Sequence, residues 1–371
     1  MTPAAMPATA SPLPSSPSLL LCPRERPAGG ARSTRTHPAS FPRDPAPEMS
    51  TRPTVVVTRR LPDAVERQLA ERFEARLNAT DTPLTAAELV EAVCTADALL
   101  PTVTDRIGAE VLEAPGRRAR IVSNFGVGYN NIDVAAARRA GVVVTNTPDV
   151  LTDDTADVAI ALMLMAARRL GEGERLVRAG RWTGWRPTHM LGTTLSGKTL
   201  GVVGLGRIGR AVARRAHHGF GMRVLYYSPS APAAAASEAG AQPCESLDAL
   251  LGASDVVSLH CPATPETRHL MNRERLRAMR PHAILVNTAR GDVVDEPALA
   301  EALAAGVIAA AGLDVYEREP AVTPALAAME NVVLLPHLGS ATVETRTAMG
   351  ERALANLVAF FGGDAPGDRV A

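Results

Sequence analysis

Apolar and polar positions follow two alternating periods from residue 54 onward. Short runs rich in Val, Ile and Leu have the pattern of buried strands, and stretches with apolar residues three or four positions apart have that of amphipathic helices. In the first part of the chain, this predicts strands at 54–58, 98–100, 121–123 and 142–145 and helices at 62–73, 85–94 and 134–140. Strands that alternate with helices favour a parallel sheet, so the pattern predicts an α/β fold.

The same alternation starts again at residue 200. It predicts strands at 200–203, 222–227, 255–258, 283–286, 308–313 and 332–335 and helices at 272–279, 296–305 and 341–361. Residues 153–170 are predicted to form one long helix that is capped by Thr152 and connects the two units. Because this helix is apolar around most of its circumference, we expect it to be buried in a core or in a subunit interface. The last helix has no strand after it and is expected to pack back on the first unit.

A glycine turn separates the first strand of the second unit from the helix that follows. Gly204, Gly206 and Gly209 have the spacing G-x-G-x-x-G, and the apolar side chains after them have helical spacing. In such a turn the first two glycines allow a tight bend and a close approach to a pyrophosphate, and the third allows helix and strand to pack closely. The free N–H groups of the helix N-terminus then face the anion. The pattern therefore favours dinucleotide binding over a tight turn without a ligand.

Composition and charge exclude several classes of protein. The chain has 39 Lys and Arg against 39 Asp and Glu, so its overall charge does not indicate nucleic acid or a membrane surface as a partner. The four cysteines have neither metal-site nor disulfide-framework spacing, so we expect no metal site and a reducing compartment. The longest uncharged apolar run, 158–167, is too short to cross a bilayer. Together these features predict a soluble cytoplasmic protein.

Residues 1–48 differ in composition from the rest of the chain. They are rich in Pro, Ser, Ala and Arg and have no apolar periodicity, so we expect a disordered, dispensable extension. An organellar transit segment is one alternative, since Arg and Ser are frequent there and acids are few. A start of the natural protein at Met49 is the simpler interpretation, because the first strand follows directly.

Three chemically competent side chains follow strands of the second unit. Arg290 follows the strand at 283–286, Glu319 follows that at 308–313, and His337 follows that at 332–335. Singly, they have plain interpretations as a surface cation, a loop acid and a helix cap. Since ligands of open parallel sheets bind outside the carboxyl ends of the strands, the three together favour an active site. Trp182 and Trp185 lie in a predicted loop, where they either line a substrate cleft or form a subunit contact.

Six segments make the chain resemble the D-isomer-specific 2-hydroxyacid dehydrogenase family over nearly all of residues 54–361. The segments are NFGVGYNNID at 124–133, GLGRIG at 204–209, LHCP at 259–262, NTARG at 287–291, GLDVYEREP at 312–320 and PHLGS at 336–340. The segments GRWTGW at 180–185 and TNTP at 145–148 look most like those of glyoxylate/hydroxypyruvate reductases.

The resemblance implies two Rossmann-like or flavodoxin-like parallel-sheet domains with a cleft between them. Residues 54–150 and 337–363 would form a discontinuous substrate domain, and residues 151–336 an NAD(P)-binding domain. The resemblance also implies a homodimer built on the nucleotide-binding domains.

The resemblance also assigns roles to individual residues. Arg290 would clamp the substrate carboxylate, Glu319 would pair with the histidine, and His337 would be the acid/base. Val127 and Gly128 would donate backbone N–H groups to the substrate. The cofactor would contact the glycines of the turn together with Arg207, Ile208, Ser228, Cys261, Pro262, Thr288, Ala289, Asp314 and Gly339. Cys261 has an equally good interpretation as a buried small apolar side chain.

Ser228 departs from the pattern that the resemblance leads us to expect. An acid that binds the adenosine ribose is expected at the end of the strand at 222–227, and Ser228 stands there instead. Without that carboxylate a 2′-phosphate is not repelled, which favours NADPH. The cation that usually completes a 2′-phosphate site is missing from residues 229–231, so the preference is weak.

The sequence thus predicts NAD(P)H-dependent reduction of a small 2-oxo acid, glyoxylate or hydroxypyruvate first, to the D-2-hydroxy acid. One alternative is a phosphoglycerate dehydrogenase-like enzyme, although many of those have a further C-terminal regulatory region. Another is a dinucleotide-sensing corepressor on the same fold, which would act through protein contacts. Formate dehydrogenase is disfavoured, because that branch has a glutamine where Glu319 stands.

Overall fold

The computed structural model describes residues 52–229, Ala231 and 233–371. The predictions for residues 1–48 and for a start at Met49 lie outside this part of the chain. Within the described residues, no helix is both long and apolar enough to cross a membrane.

The first sheet has five parallel strands in the order β2-β1-β3-β4-β5. Its strands are β1 (Thr54–Val57), β2 (Glu74–Arg76), β3 (Ala98–Leu100), β4 (Ile121–Ser123) and β5 (Val143–Thr145). The helices between them are α1 (Asp63–Arg72), α2 (Ala86–Thr95), α3 (Ala109–Leu112) and α4 (Val134–Arg139). Thr85 starts α2 with a capping box, in which its hydroxyl accepts the Glu88 N–H and the Glu88 carboxylate accepts the Thr85 N–H.

The second sheet has seven parallel strands in the order β12-β11-β10-β9-β6-β7-β8. They are β6 (Thr199–Val203), β7 (Arg223–Tyr227), β8 (Ala241–Pro243), β9 (Val256–Leu259), β10 (Ile284–Asn287), β11 (Ala310–Leu313) and β12 (Val332–Leu334). The strand order reverses between β6 and β9, where Val203 pairs with Leu259. A crevice at the carboxyl ends of these two strands is where such sheets bind ligands.

Nine helices of the described residues accompany the second sheet or follow it. They are α5 (Thr152–Arg168), α6 (Leu170–Arg178), α7 (Arg207–Phe220), α8 (Ala233–Glu238), α9 (Leu247–Ala253), α10 (Arg273–Ala278), α11 (Glu296–Ala304), α12 (Pro324–Ala327) and α13 (Val343–Gly362). These bounds agree with most of the predicted elements within a few residues.

Helices α5 and α13 pack against the sheets that the pattern predicts for them. One face of α5 is buried against β10, β11 and α7, and Gly312 lies so close that an added Cβ would be 2.9 Å from that of Leu162. Helix α13 packs instead on α1 and β4, and its Met349, Leu354 and Leu357 belong to the core under the first sheet. The last helix therefore returns to the first sheet. The division of the chain into a substrate domain, residues 54–150 plus 337–363, and a nucleotide-binding domain, residues 151–336, stays a prediction.

The long helix predicted at 153–170 is wrong at both ends. Thr152 is its first residue instead of its cap, since Leu151 occupies the N-cap position without a side-chain hydrogen bond. The helix ends at Arg168, where Arg169 has a left-handed φ of 55°, and α6 follows. The Thr193 N–H donates to the Ala167 carbonyl over 2.8 Å, so a returning segment competes for the end of the helix.

Two strands and the path of the chain end were not predicted. β2 and β8 are edge strands of three residues whose sequences, EAR and AQP, have no apolar run. Edge strands need no second buried face, so their sequences give little signal. After α13 the chain returns to β5, where Arg369 forms an antiparallel bridge with Thr145.

Candidate active site

The loops after β10, β11 and β12 meet at one rim of the second sheet. These strands are direct neighbours, so parallel pairing brings their carboxyl ends together. The rim therefore holds Arg290, Glu319 and His337 close to one another, as their places after the strands predict. We call these three residues the rim triad.

A direct hydrogen bond joins His337 to Glu319. The imidazole Nδ1 lies 2.8 Å from Glu319 Oε2, and the two side chains are 31% and 29% exposed. The other carboxylate oxygen, Oε1, accepts the Tyr316 N–H over 3.0 Å. Burial raises the pKa of Glu319, but the bond from His337 and the nearby charges outweigh it and leave the pKa below its usual value. Glu319 is thus ionised at neutral pH, and Nε2 of the ring is the nitrogen that is free to act on a ligand.

Arg290 reaches across to the first sheet's side of the molecule. Its Nε donates to Asn130 Oδ1 over 2.9 Å, and one terminal nitrogen donates to the Ala289 carbonyl over 2.7 Å. Burial lowers the pKa of Arg290, partly offset by Glu319 and Asp292, and a guanidinium remains protonated all the same. The other terminal nitrogen lies against Gly128, where a Cβ would be only 1.7 Å away.

Asp314 holds the histidine loop in place. Its two carboxylate oxygens accept the N–H groups of Leu338 and Gly339 over 2.7 and 2.8 Å, and its carbonyl accepts that of His337. Asp314 is 1% exposed, and this burial raises its pKa despite those N–H donors. The structure therefore brings Asp314 and Gly339 to the rim, where both residues shape the loop that carries His337.

The glycine turn leaves room for a ligand only where a phosphate would need it. A Cβ on Gly204 would lie 2.6 Å from the Cys261 nitrogen, and one on Gly209 would lie 2.2 Å from the Gly204 carbonyl oxygen. At Gly206, the N-cap of α7, an added Cβ would meet nothing within 4 Å. Tight packing on two sides and open space at the helix N-terminus fit a dinucleotide pyrophosphate.

The remaining predicted cofactor residues lie around the carboxyl ends of β6, β7, β9 and β10. Thr288 fits a polar ligand, since its buried Oγ1 has no hydrogen-bond partner among the described residues. The Arg207 guanidinium forms an ion pair with Asp149. Ile208 packs between the cores of the two sheets. The other members lie in the loops after these strands: Ser228, Cys261, Pro262 and Ala289.

Cys261 and its neighbour His260 are both kept neutral by burial. Burial raises the pKa of the Cys261 thiol to about 11 and lowers that of His260 to about 4. His260 Nε2 lies 2.8 Å from Ser258 Oγ. Cys261 packs against the core of the second sheet, and its protonated thiol is not a nucleophile. Its place along the cofactor cleft stays a prediction.

Val127 and Gly128 face the rim from the loop after β4. Their carbonyls accept the side-chain amides of Asn146 and Asn124 over 2.8 and 2.9 Å, and these bonds fix the loop. Within the described part of the chain, neither N–H of Val127 and Gly128 has an acceptor. Two free N–H groups beside a guanidinium suit a carboxylate.

Sequence reasoning missed the asparagines of this loop. Asn130 accepts the Nε donor of Arg290, and Asn131 donates to the carbonyls of Thr102 and Asp105. All lie in the segment 124–133 that carries the family resemblance, but nothing local shows which side chain meets Arg290, 160 residues away. Such a contact appears only once the two sheets are in place.

The assembled site can bind a small carboxylate and move one proton. Arg290 and the free N–H groups supply donors for a carboxylate, and the His337–Glu319 pair supplies an acid whose charged form a carboxylate favours. The crevice at the glycine turn, next to the rim in the same sheet, fits a dinucleotide.

Comparisons with known proteins agree with this arrangement. The family model for the NAD binding domain of D-isomer specific 2-hydroxyacid dehydrogenases matches residues 160–339. The chain is 50% identical over 319 residues to the glyoxylate reductase of Thermococcus kodakarensis. This alignment covers 85% of this chain and 95% of that protein. It is 47% identical over 327 residues to the glyoxylate reductase of Aeropyrum pernix, with 86% and 96% covered.

Solved structures show the same likeness. A glyoxylate reductase from Paecilomyes thermophila has a TM-score of 0.77 at 34% identity and covers 87% of this chain and 99% of its own. The NADPH-dependent glyoxylate/hydroxypyruvate reductase of Sinorhizobium meliloti, in complex with NADP and malonate, has a TM-score of 0.76 at 37% identity. That alignment covers 86% of this chain and 97% of the other.

Proposed function

Because the chain belongs to the D-isomer specific 2-hydroxyacid dehydrogenase family, we propose that it reduces glyoxylate or hydroxypyruvate to the D-2-hydroxy acid with NAD(P)H. The observation that carries this proposal is the 2.8 Å bond between His337 and Glu319, beside Arg290 on the rim. The names of the relatives from Thermococcus kodakarensis and Sinorhizobium meliloti support the choice of substrates.

The rim triad and the loop after β4 divide the work of the reduction. Arg290 and the N–H groups of Val127 and Gly128 hold the substrate carboxylate, which places the adjacent carbonyl at His337. His337 donates its Nε2 proton to the carbonyl oxygen, and Glu319 stabilises the positive charge of the imidazolium before transfer. The glycine turn, with Gly204, Gly206 and Gly209, would hold NAD(P)H, which when bound would supply the hydride for the carbonyl carbon.

The division of the chain into domains belongs to this proposal. Residues 54–150 with 337–363 carry the Val127–Gly128 loop and serve as the substrate domain, and residues 151–336 carry the glycine turn and serve as the nucleotide domain. The separate packing of α13 and α5 on the two sheets supports this division.

We propose a weak preference for NADPH over NADH. It is supported by Ser228, a partly exposed serine directly after β7, at the place where a ribose-binding acid would repel a 2′-phosphate. In the variant Ser228→Asp, the KM for NADPH should rise more than tenfold while that for NADH changes little. The estimate follows from about 4 kcal/mol for two charges about 4 Å apart at an effective dielectric of 20. Equal changes for both cofactors would show that Ser228 does not face the ribose.

A steady-state panel tests the proposed activity. Glyoxylate, hydroxypyruvate, pyruvate and 3-phosphohydroxypyruvate are each offered with NADH and with NADPH, and the chirality of the product is determined. We expect the highest kcat/KM with glyoxylate or hydroxypyruvate and a D-configured product from hydroxypyruvate. A preference for the phosphorylated acid would indicate a phosphoglycerate dehydrogenase. Tight NADH binding without turnover of any acid would indicate a dinucleotide-sensing binding protein.

We also propose a homodimer in the cytoplasm, built on the nucleotide domain. Support comes from α6 and the loop after it, which expose Val177, Trp182, Trp185 and Leu191, with Trp185 81% exposed. An apolar surface of this kind favours burial by a second copy of the chain. Light scattering should give twice the mass of one chain, and Trp185→Ser with Leu191→Ser should weaken the dimer. A monomeric wild type would contradict the proposal.

A further inference from the structure

Glu296 is a buried carboxylate outside the rim triad. It is the first residue of α11 and is 4% exposed. Among the described residues, no Lys, Arg or His lies within ion-pair distance of it. Instead, its Oε1 accepts the Glu317 N–H over 2.7 Å and its Oε2 accepts the Thr323 hydroxyl. Burying a charged group is costly unless its hydrogen bonds are satisfied, and here both oxygens are bonded to one loop.

That loop is the one that carries Glu319. The two residues bonded to Glu296, at positions 317 and 323, lie on either side of Glu319 in the sequence. Inside the loop, the Tyr316 N–H donates to Glu319 Oε1, and the Ala321 N–H donates to the Arg318 carbonyl over 2.8 Å. Glu296 thus fixes the loop from outside at both ends of the short segment that presents Glu319 to His337.

The same carboxylate ties this loop to the loop of Arg290. Helix α11 begins only six residues after Arg290, and Asp295 caps it by accepting the Ala298 N–H. Between them, Gly291 packs so tightly on the other loop that a Cβ there would be 1.8 Å from the Tyr316 carbonyl carbon. The position of Glu296 relative to Arg290 is therefore rigid, and its bonds to residues 317 and 323 carry that position over to Glu319.

We propose that Glu296 is a positioning residue, which sets the register between the Arg290 loop and the Glu319 loop so that Glu319 meets His337. The inference rests on the proposed reductase function. Its alternative is purely structural: an acid in the first turn of a helix stabilises that helix through its dipole. The positioning role depends on the length of the Glu296 side chain, which must reach two partners. The helix-dipole role depends on its charge.

Two conservative variants separate these properties. Glu296→Gln keeps the reach, since the amide oxygen can accept the Glu317 N–H and the amide nitrogen can donate to the Thr323 oxygen, but it loses the charge. Glu296→Asp keeps the charge at the start of α11 but is one methylene too short to reach both partners. Positioning predicts that Gln is close to wild type and Asp is impaired, whereas the dipole interpretation predicts the opposite order.

The experiment measures the pH profile of reduction, kcat and KM in the wild type and both variants. We expect kcat of Glu296→Asp to fall about tenfold, as expected when a catalytic group is displaced by a fraction of an ångström. Its activity should also be lost at a lower pH than in the wild type, because His337 loses its aligned carboxylate. The KM for the cofactor should not change. The control is Asp255→Asn. Asp255 lies at the amino end of β9, whereas the rim lies at the carboxyl ends of the strands, and its carboxylate accepts the Thr199 N–H over 2.8 Å. This variant should lower stability without moving the pH profile.

A second readout does not depend on turnover. The NMR chemical shift of the His337 imidazole, assigned with the variant His337→Gln and measured at one pH, should differ from the wild type in Glu296→Asp and match it in Glu296→Gln. A wild-type protein without any oxo-acid reduction would refute the proposed function, yet this chemical shift would still test the positioning role. The inference is overturned if the His337 imidazole has the same chemical shift in Glu296→Asp as in the wild type, or if Glu296→Gln is the more impaired variant.

Discussion

The absence of a side chain at Gly128 lets Arg290 reach the substrate side of the cleft. In Gly128→Ala the new Cβ would lie 1.7 Å from a terminal nitrogen of Arg290, so the guanidinium must move. A flexible side-chain end can move without unfolding the protein, so we expect the loss to appear in binding. The KM for the 2-oxo acid should rise at least about tenfold, the size of a weakened charge-assisted hydrogen bond of about 1.5–3 kcal/mol.

Stopped-flow binding of the cofactor and a melting curve are the controls for this variant. Both should match the wild type, because Gly128 is not among the residues predicted to contact the cofactor. A Gly128→Ala protein with unchanged KM would show that Arg290 does not need this position to hold the carboxylate.

Among individual residues, the sequence indicated the acid, base and cation of the rim triad but not the residues that hold these side chains in position. Arg290, Glu319 and His337 could be found because each follows a predicted strand of one parallel sheet, and such ends meet at one edge. Asn130 and Glu296 could not, because their partners lie 160 and 21 residues away in the chain. Neither contact has a local pattern, so it becomes visible only with the tertiary structure.

At the scale of an element, the end of α7 offers a matched pair of glycines. Gly219 lies inside the helix, and Gly221 follows it with a left-handed φ of 60°. An added Cβ meets nothing within 4 Å at either position. Gly219→Ala should therefore raise the free energy of unfolding by about 0.5 kcal/mol through helix propensity. Gly221→Ala should lower it by about 1 kcal/mol, since L-residues disfavour this conformation.

Denaturant unfolding of the two variants checks the prediction. The midpoints should move in opposite directions from that of the wild type, with equal slopes. Midpoints that move the same way would mean that the end of α7 is not set by backbone conformation.

Element boundaries could be predicted where local chemistry decides them and not where a distant segment does. The helix predicted at 85–94 lies within one residue of α2, where Thr85 forms a capping box, and Gly221 ends α7 with a left-handed φ of 60°. The break between α5 and α6 is different, because Gly192 and Thr193 pack against the Ala167 carbonyl and help end the helix. The edge strands β2 and β8 lacked an apolar pattern for the reason that they need none.

At the scale of the whole molecule, carboxylates at the amino ends of the strands make stability depend on pH. Asp255, just before β9, accepts the Thr199 N–H over 2.8 Å and lies 2.7 Å from His282 Nε2. Burial raises the pKa of Asp255, but these bonds outweigh it and leave the pKa below its ordinary value of 3.8. Its contribution to stability is thus present above that value and is lost as the pH falls through the lower, folded-state value.

Thermal melts of Asp255→Asn and the wild type, recorded over a range of pH, test this pH dependence of stability. We expect the variant to melt at a lower temperature at neutral pH and the difference to shrink as the pH falls below about 4, because protonation then removes from the wild type the charge that the variant already lacks. A difference that grows in acid would show that Asp255 is not the ionised partner of these groups.

The two sheets are also brought together as a unit, and this arrangement builds the site. Arg290 bonds to Asn130 across the cleft, and the Thr155 hydroxyl donates to the Gly339 carbonyl over 2.9 Å. The substrate therefore meets donors from both sides only when these contacts are formed. The sequence could indicate two parallel sheets and their connecting helices, but not which side chains bridge them.

The pH profile of reduction in the rim-triad variants tests the central claim most directly. His337→Ala should lower kcat by about two to four powers of ten with cofactor binding unchanged, since it removes the proton donor. Glu319→Gln should keep the donor but lose activity at a lower pH than the wild type, because the imidazolium loses its carboxylate partner. An active His337→Ala, or a Glu319→Gln profile that coincides with that of the wild type, would contradict the assignment.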